Sequence, residues 1–124
     1  MTFRYQFGPA VLSAAAPLPE LRPVVQQNEP AALAIRMAER IDAANAEWYH
    51  EWRFPDGRLW MRMGRAHDGH VLRFPQLADF AIREGGRRLE VASYAGALTA
   101  TVRHLLLDQA VPLALSHQLS LIHI

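Results

Sequence analysis

The run Trp48-Tyr49-His50-Glu51-Trp52-Arg53-Phe54-Pro55-Asp56-Gly57-Arg58-Leu59-Trp60-Met61-Arg62-Met63-Gly64-Arg65 decides the fold. Its two strand-like segments, Trp48 to Phe54 and Arg58 to Arg65, flank Pro55-Asp56-Gly57. There proline presets the backbone of a type I turn, and glycine accepts the left-handed bulge position that follows. The spacing predicts a hairpin. Pairing Phe54 with Arg58 sets Trp52 opposite Trp60 and His50 opposite Arg62, with Tyr49 opposite Met63 on the other face. A second turn at His67-Asp68-Gly69 pairs Ala66 with His70, Gly64 with Leu72 and Arg62 with Phe74. Leu72 and Phe74 thereby join the face of Trp52 and Trp60, and three strands form a meander.

Further along, Gly85-Gly86 suits a two-residue hairpin turn with positive φ at both positions. Glu84 then faces Arg87, Ile82 faces Leu89 and Phe80 faces Val91; a slip of one residue would invert the apolar and charged faces. From Ala97 the period becomes helical, with Leu98, Val102, Leu105, Leu106 and Leu113 in one stripe and Gly96 as a permissible start. Pro112 predicts an end near Ala110 and a kinked or restarted segment through His117.

Toward the N-terminus, Thr2 to Phe7 alternates with Phe3, Tyr5 and Phe7 on one face, and Val11 to Ala14 reads as a second strand. Pro17, Pro19, Pro23 and Pro30 keep Ala16 to Pro30 largely irregular. Ala31 to Ile41 fits two periods: Leu33, Met37 and Ile41 a helix, Leu33, Ile35 and Met37 a strand. Propensity alone favours the helix. Asp42 to Glu47 reads as a connector. The expected fold is α+β: an antiparallel β-meander of about six to seven strands with a C-terminal helix, as an incomplete domain.

A chain of 124 residues that is 51% hydrophobic, with a formal net charge of +1, suits one small folded unit and argues against disorder. No basic block marks a nucleic-acid or acidic-membrane partner, so neither is expected. The absence of cysteine excludes disulfides, a thiolate nucleophile and Cys-ligated zinc, and favours a reducing compartment. The first ten residues carry Arg4, Tyr5 and Gln6 rather than a signal-peptide core, and no stretch of about 18 apolar residues occurs. These features predict a cytoplasmic protein. All 13 basic residues are Arg, a bias of GC-rich bacterial genes, yet two of the five Ile residues fall among the last three positions. Leu119-Ser120-Leu121-Ile122-His123-Ile124 resembles the translation of a transposon-end sequencing adapter. The expected organisation is therefore a β-rich region over residues 1–118 and an adapter-derived tail over residues 119–124 that adds little to folding.

Few residues suggest chemistry. His67-Asp68-Gly69-His70 offers two imidazoles and a carboxylate, but no third fixed ligand for zinc, and reads better as an exposed turn. Trp48, Trp52 and Trp60, near Arg62, suit either a stacking platform or core. Glu47 and Glu51, four residues apart on a strand with His50 between them, fall on one side and read as surface carboxylates. Ser93, Ser116 and Ser120 have no nucleophile-elbow motif, and no GxxxxGK(S/T) or other glycine-rich phosphate cradle is present. No residue is assigned a catalytic, cofactor-binding or metal-binding role.

Several segments, taken in order, resemble one family. Pro17-Leu18-Pro19-Glu20-Leu21, Phe54-Pro55-Asp56-Gly57-Arg58-Leu59-Trp60, Leu72-Arg73-Phe74-Pro75-Gln76-Leu77-Ala78-Asp79-Phe80 and the helix Arg103 to Gln118 are similar to the N-terminal region of HPr serine kinase-like proteins. The resemblance implies a strand at Ala32 to Met37. It also implies a bacterial, ATP-dependent parent kinase in which a Walker A loop follows the helix, with ATP and Mg²⁺ as cofactors and a protein or peptide substrate. This chain ends before that loop, so no family site residue transfers to it. On this reading it is an inactive N-terminal fragment whose partner is the missing ATP-binding half. Leu107 and Leu115 are then expected to contribute to an uncovered apolar helix face. The alternative is a self-contained protein- or peptide-binding β module, presenting sheet edges or the tryptophan hairpin.

Overall fold

The computed structural model describes residues 2–24, 30–66 and 68–122, the last three of these by backbone only. Nine strands form one mixed sheet covered on one face by a C-terminal helix, an α+β arrangement. The strands are β1 (Phe3–Phe7), β2 (Ala10–Ala14), β3 (Arg22–Pro23), β4 (Leu33–Met37), β5 (Glu47–Arg53), β6 (Leu59–Ala66), β7 (Gly69–Phe74), β8 (Ala78–Arg83) and β9 (Arg88–Ser93). Their order across the sheet is β3-β1-β2-β4-β9-β8-β7-β6-β5.

This corrects the expected six to seven strands and the simple meander. Only β5 to β9 form one, while β4 lies parallel to both β2 and β9. Ala32 to Met37 is indeed extended despite its helical propensity: Leu33 and Ile35 bury on the helix side of the sheet, a requirement that outweighs intrinsic preference. Of the proline-rich stretch, residues 25–29 lie outside the described residues. The part before them forms β3 and tucks Leu18 fully into the core, where its N–H donates to the Tyr5 hydroxyl at 2.9 Å.

The registers explain most other differences. In β8–β9, Ile82 opposes Leu89 and Phe80 opposes Val91 as expected, with Gly85 and Gly86 at φ of 67° and 92°. In β5–β6 the expected register holds at Arg53–Leu59 and Trp48–Gly64 but slips between them, so Trp52 opposes Met61, not Trp60, and His50 opposes Met63. The extra residues are Trp60 on β6 and Tyr49 on β5, two bulges that strict alternation cannot reveal. In β6–β7 Met63 opposes Leu72 and Arg62 opposes Arg73, one residue away from the expected pairing. Met63 thus packs against the helix-side core, contrary to its expected outward placement. A further tight turn, Pro75-Gln76-Leu77, joins β7 to β8 with Gln76 at φ 67°.

The helix starts at Thr99, not Gly96, with the Thr99 hydroxyl accepting from Val102 N–H at 3.2 Å. Helix α1 (Ala100–Leu105) passes through a π-helical turn (Leu106–Ala110) into α2 (Val111–Ile122). Pro112 lacks an N–H and would crowd the carbonyl four residues back, and the wide turn just before it accommodates both. Leu106, Val111 and Ala114 bury against Leu12, Leu33, Phe74, Phe80 and Leu89. Leu107, expected to be uncovered, is also buried, whereas Leu115 is half-buried and Leu119 exposed. Gln118 fastens α2 to the sheet by donating to the carbonyls of Ala32 and Gly86 at 2.8 and 2.7 Å.

Gly86 tests this packing. An added Cβ there would lie 2.2 Å from the Ala114 carbonyl oxygen, while at Gly57, with φ of 91°, nothing lies within 4 Å. Gly86→Ala should cost about 2–4 kcal/mol and Gly57→Ala about 1 kcal/mol. Urea unfolding measures both; equal losses would mean that α2 does not press on the Gly85-Gly86 turn.

Candidate functional site

The strand β5 forms one border of the sheet, and five of its seven residues are exposed. An edge strand keeps alternate N–H and C=O groups pointing outward, available to another strand. On the helix side of this edge, Trp52 and Trp60 are half-buried and, with Met61, Met63, Leu72 and Leu113, line a pocket of about 190 Å³. Gln109 of the π-turn supplies the one polar side chain there. Trp60 also stands edge-on to Phe74, with centroids 5.9 Å apart. On its far side a wider, open groove of about 600 Å³ runs between the β5–β6 and β7–β8 turns. Phe54, 41% exposed, and Leu77, 36% exposed, present apolar surface to it, and Arg58 lies over the Phe54 ring at 4.9 Å.

The three tryptophans do not make one platform. Trp48 faces the opposite side of the sheet, where the guanidinium carbons of Arg62 and Arg73 lie 4.4 and 5.2 Å from its ring centroid. Arg73 is bound in turn by the buried Asp79 at 3.0 Å, and Asp79 also accepts from the Tyr94 hydroxyl at 2.9 Å. Burial and then the Asp79 carboxylate push the Tyr94 phenol above its ordinary range. These cations are neutralised within the sheet, an arrangement suited to holding register rather than capturing an anion.

The other sequence candidates are dispersed. The bulge at Tyr49 sets Glu47 across from Arg65 and Glu51 across from Arg62, positions on opposite faces, so the two carboxylates do not share a side as expected. Glu51 is occupied by Arg53 at 2.8 Å and Arg62 at 3.4 Å. His67 lies outside the described residues; Asp68 pairs with Arg83, and His70 turns toward the helix. Among the described residues no three His, Cys, Asp or Glu side chains gather to hold a metal. Nor is any described helix long and apolar enough to cross a membrane.

Leu113 was visible in the helical stripe, but Met61 and Met63 were hidden by the bulge, and Gln109 had no distinguishing signal. The arrangement offers apolar burial and backbone hydrogen bonding rather than acid–base chemistry. Comparison with protein-family models, curated proteins and solved structures gives no match.

Since Trp52 is only half-buried, Trp52→Ala should cost about 2–3 kcal/mol, below the 3–5 kcal/mol of a fully buried large aromatic ring. Chemical denaturation gives the value. A loss below about 0.5 kcal/mol would show that the ring contributes nothing to the pocket wall.

Proposed function

We propose that this chain is a non-catalytic docking module that holds an extended segment of another protein along β5 and seats one apolar side chain in the Trp52–Trp60–Leu113 pocket. The observation that carries this reading is the juxtaposition of an open seven-residue edge with an apolar pocket of about 190 Å³ beside it. Strand addition supplies main-chain hydrogen bonds, and a pocket beside the edge selects alternate side chains. The pocket's size suits one Leu, Met or Phe side chain, and its lining carries no charge to reward an ionic one. The neighbouring groove at Phe54 and Leu77 would receive the next inward-facing residue.

Labelled seven-residue peptides of strand-forming Thr and Val, each with a single central Leu, Met, Phe or Asp, test this by fluorescence anisotropy. Saturable binding is expected for the apolar three and not for Asp. Trp60→Leu, with its unfolding midpoint checked, should weaken binding at least tenfold. Equal binding of all four peptides, or indifference to Trp60→Leu, would reject the pocket.

A second reading places this module at the front of an HPr serine kinase-like protein, where the docked segment belongs to the substrate. The strand at Leu33–Met37 supports it, because the family order required a strand where propensity alone favoured a helix. ATP and Mg²⁺ would then act in the parent, since this chain contains neither Lys nor a glycine-rich phosphate loop. Calorimetry with Mg·ATP at physiological salt should give no saturable heat for residues 1–124, and binding for a chain extended through a Walker A loop. Micromolar, Mg²⁺-dependent binding by residues 1–124 alone would overturn the reading.

A further inference from the structure

One cluster at the seam between α2 and the meander is unused by the docking reading. His117 of α2 meets His70 of β7 edge-on, with ring centroids 4.6 Å apart and planes at 78°. From β5, the Tyr49 hydroxyl lies 3.2 Å from His70 Nδ1. From β6, Arg65 is the register partner of His70 and holds its guanidinium 5.6 Å from the Tyr49 ring centroid. Among the described residues, the only histidine within 4.0 Å of a carboxylate is His104, which pairs with Asp108 elsewhere on the helix. Two imidazoles thus meet beside a permanent cation and a neutral phenol, with Glu47 across from Arg65 on β5 and no carboxylate of a described residue within 4.0 Å of either ring.

Burial first, then His117 and Arg65, hold the His70 imidazole below the ordinary histidine range. A histidine so depressed binds fewer protons in the folded state than in the unfolded one. Its contribution to stability is therefore complete above about pH 6.5 and is lost as the pH falls below that value. Leu113 and His117 are four residues apart and share one face of α2. Leu113 walls the aromatic pocket, while His117 rests on His70.

We propose that His70 and His117 form an acid-sensitive latch that holds α2 down on the meander and controls access to the aromatic pocket. Its regulatory consequence rests on the docking reading; the latch itself needs no ligand. At neutral pH the uncharged His70 ring makes the edge contact with His117. Protonating His70 places a second cation beside Arg65 in a half-buried seam, so the proton is taken up as the seam opens to water. The His117 flank of α2 then tilts off β7, Leu113 moves with it and the pocket widens, while Ala114 and Gln118 keep the core side of the helix on the sheet.

The test is NMR of the free chain, without peptide, from about pH 7.5 to about pH 5. His70 is expected to titrate below the ordinary histidine range. The Trp60 indole and Leu113 methyl resonances should shift together with His70, and this shift should be lost in His117→Gln. His50 lies edge-on to Trp52 at 3.9 Å, so Trp52 reports on that imidazole directly. Trp60 and Leu113 are for that reason the readouts, and His50→Gln should retain the transition. An ordinary His70 titration, stationary Trp60 and Leu113 signals, or an unchanged shift in His117→Gln would each overturn the latch. If that variant does not fold, the joint movement of the His70, Trp60 and Leu113 signals in the native chain decides. Because no peptide is present, failure of the latch leaves docking intact, and failed peptide binding at neutral pH leaves the latch standing.

Discussion

Parallel pairing of β4 with both β2 and β9 constrains where the rest of the chain can run. Parallel neighbours cannot be joined by a tight turn. The chain leaving Met37 must travel away from β9 before returning to it. It does so along the sheet face opposite the helix, where Ile41 packs on Val71, Ala81 and Ala92, and it enters β5 at the far border. Four antiparallel steps then bring it back to β9 beside β4. The open edge and the pocket beside it follow from that route. Had β4 been a helix, nothing would join the N-terminal hairpin to the meander in one sheet.

The two faces of the sheet contribute differently. On the helix side Phe74, Phe80, Leu72 and Leu89 are essentially inaccessible, and each such side chain contributes about 1.5–3 kcal/mol of burial. The opposite face is laced with ion pairs such as Arg83 with Glu90 and Arg88 with Glu84, partly exposed and each worth about 0–1 kcal/mol. Asp79 is the exception, because its buried carboxylate would lose Arg73 and keep only Tyr94 if that arginine were removed. Apolar burial therefore supplies the stability, and on the charged face Glu51, Asp79 and Glu90 neutralise arginines that the register sets opposite one another, Arg62 with Arg73 and Arg83 with Arg88.

The division of labour between faces was legible in the sequence wherever alternation was strict. Phe80 against Val91 and Ile82 against Leu89 follow directly from period two and a glycine pair at the turn. Leu72 and Phe74 also reached their expected face, even though the β6–β7 register is one residue off, because each strand's own alternation is independent of its neighbour's. Bulges were not legible. At Tyr49 and Trp60 an extra residue changes which side chains share a face, and nothing in the composition of the hairpin announces it. The contact of His70 with His117, 47 positions apart, depends on how the helix lies across the sheet, which no local pattern encodes. The separation of the tryptophans onto two faces follows from the same bulges.

The π-turn before Pro112 sets the phase of everything after it. In an uninterrupted α-helix, Leu113 and His117 would continue the face begun by Val102 and Leu106, since seven and eleven residues beyond Leu106 return to nearly the same direction. The wide turn, closed by the Val111 N–H donating to the Leu106 carbonyl, acts as one inserted residue and rotates the following helix by about 100°. Val111, Ala114 and Gln118 consequently take the core side: the first two are fully buried, and Gln118 reaches the carbonyls of Ala32 and Gly86. Leu113 and His117 are displaced to the flank, where one walls the tryptophan pocket and the other meets His70. A proline that local rules read as a helix break instead re-aims the last helix, so that its core contacts and its contacts with the open edge lie on adjacent faces.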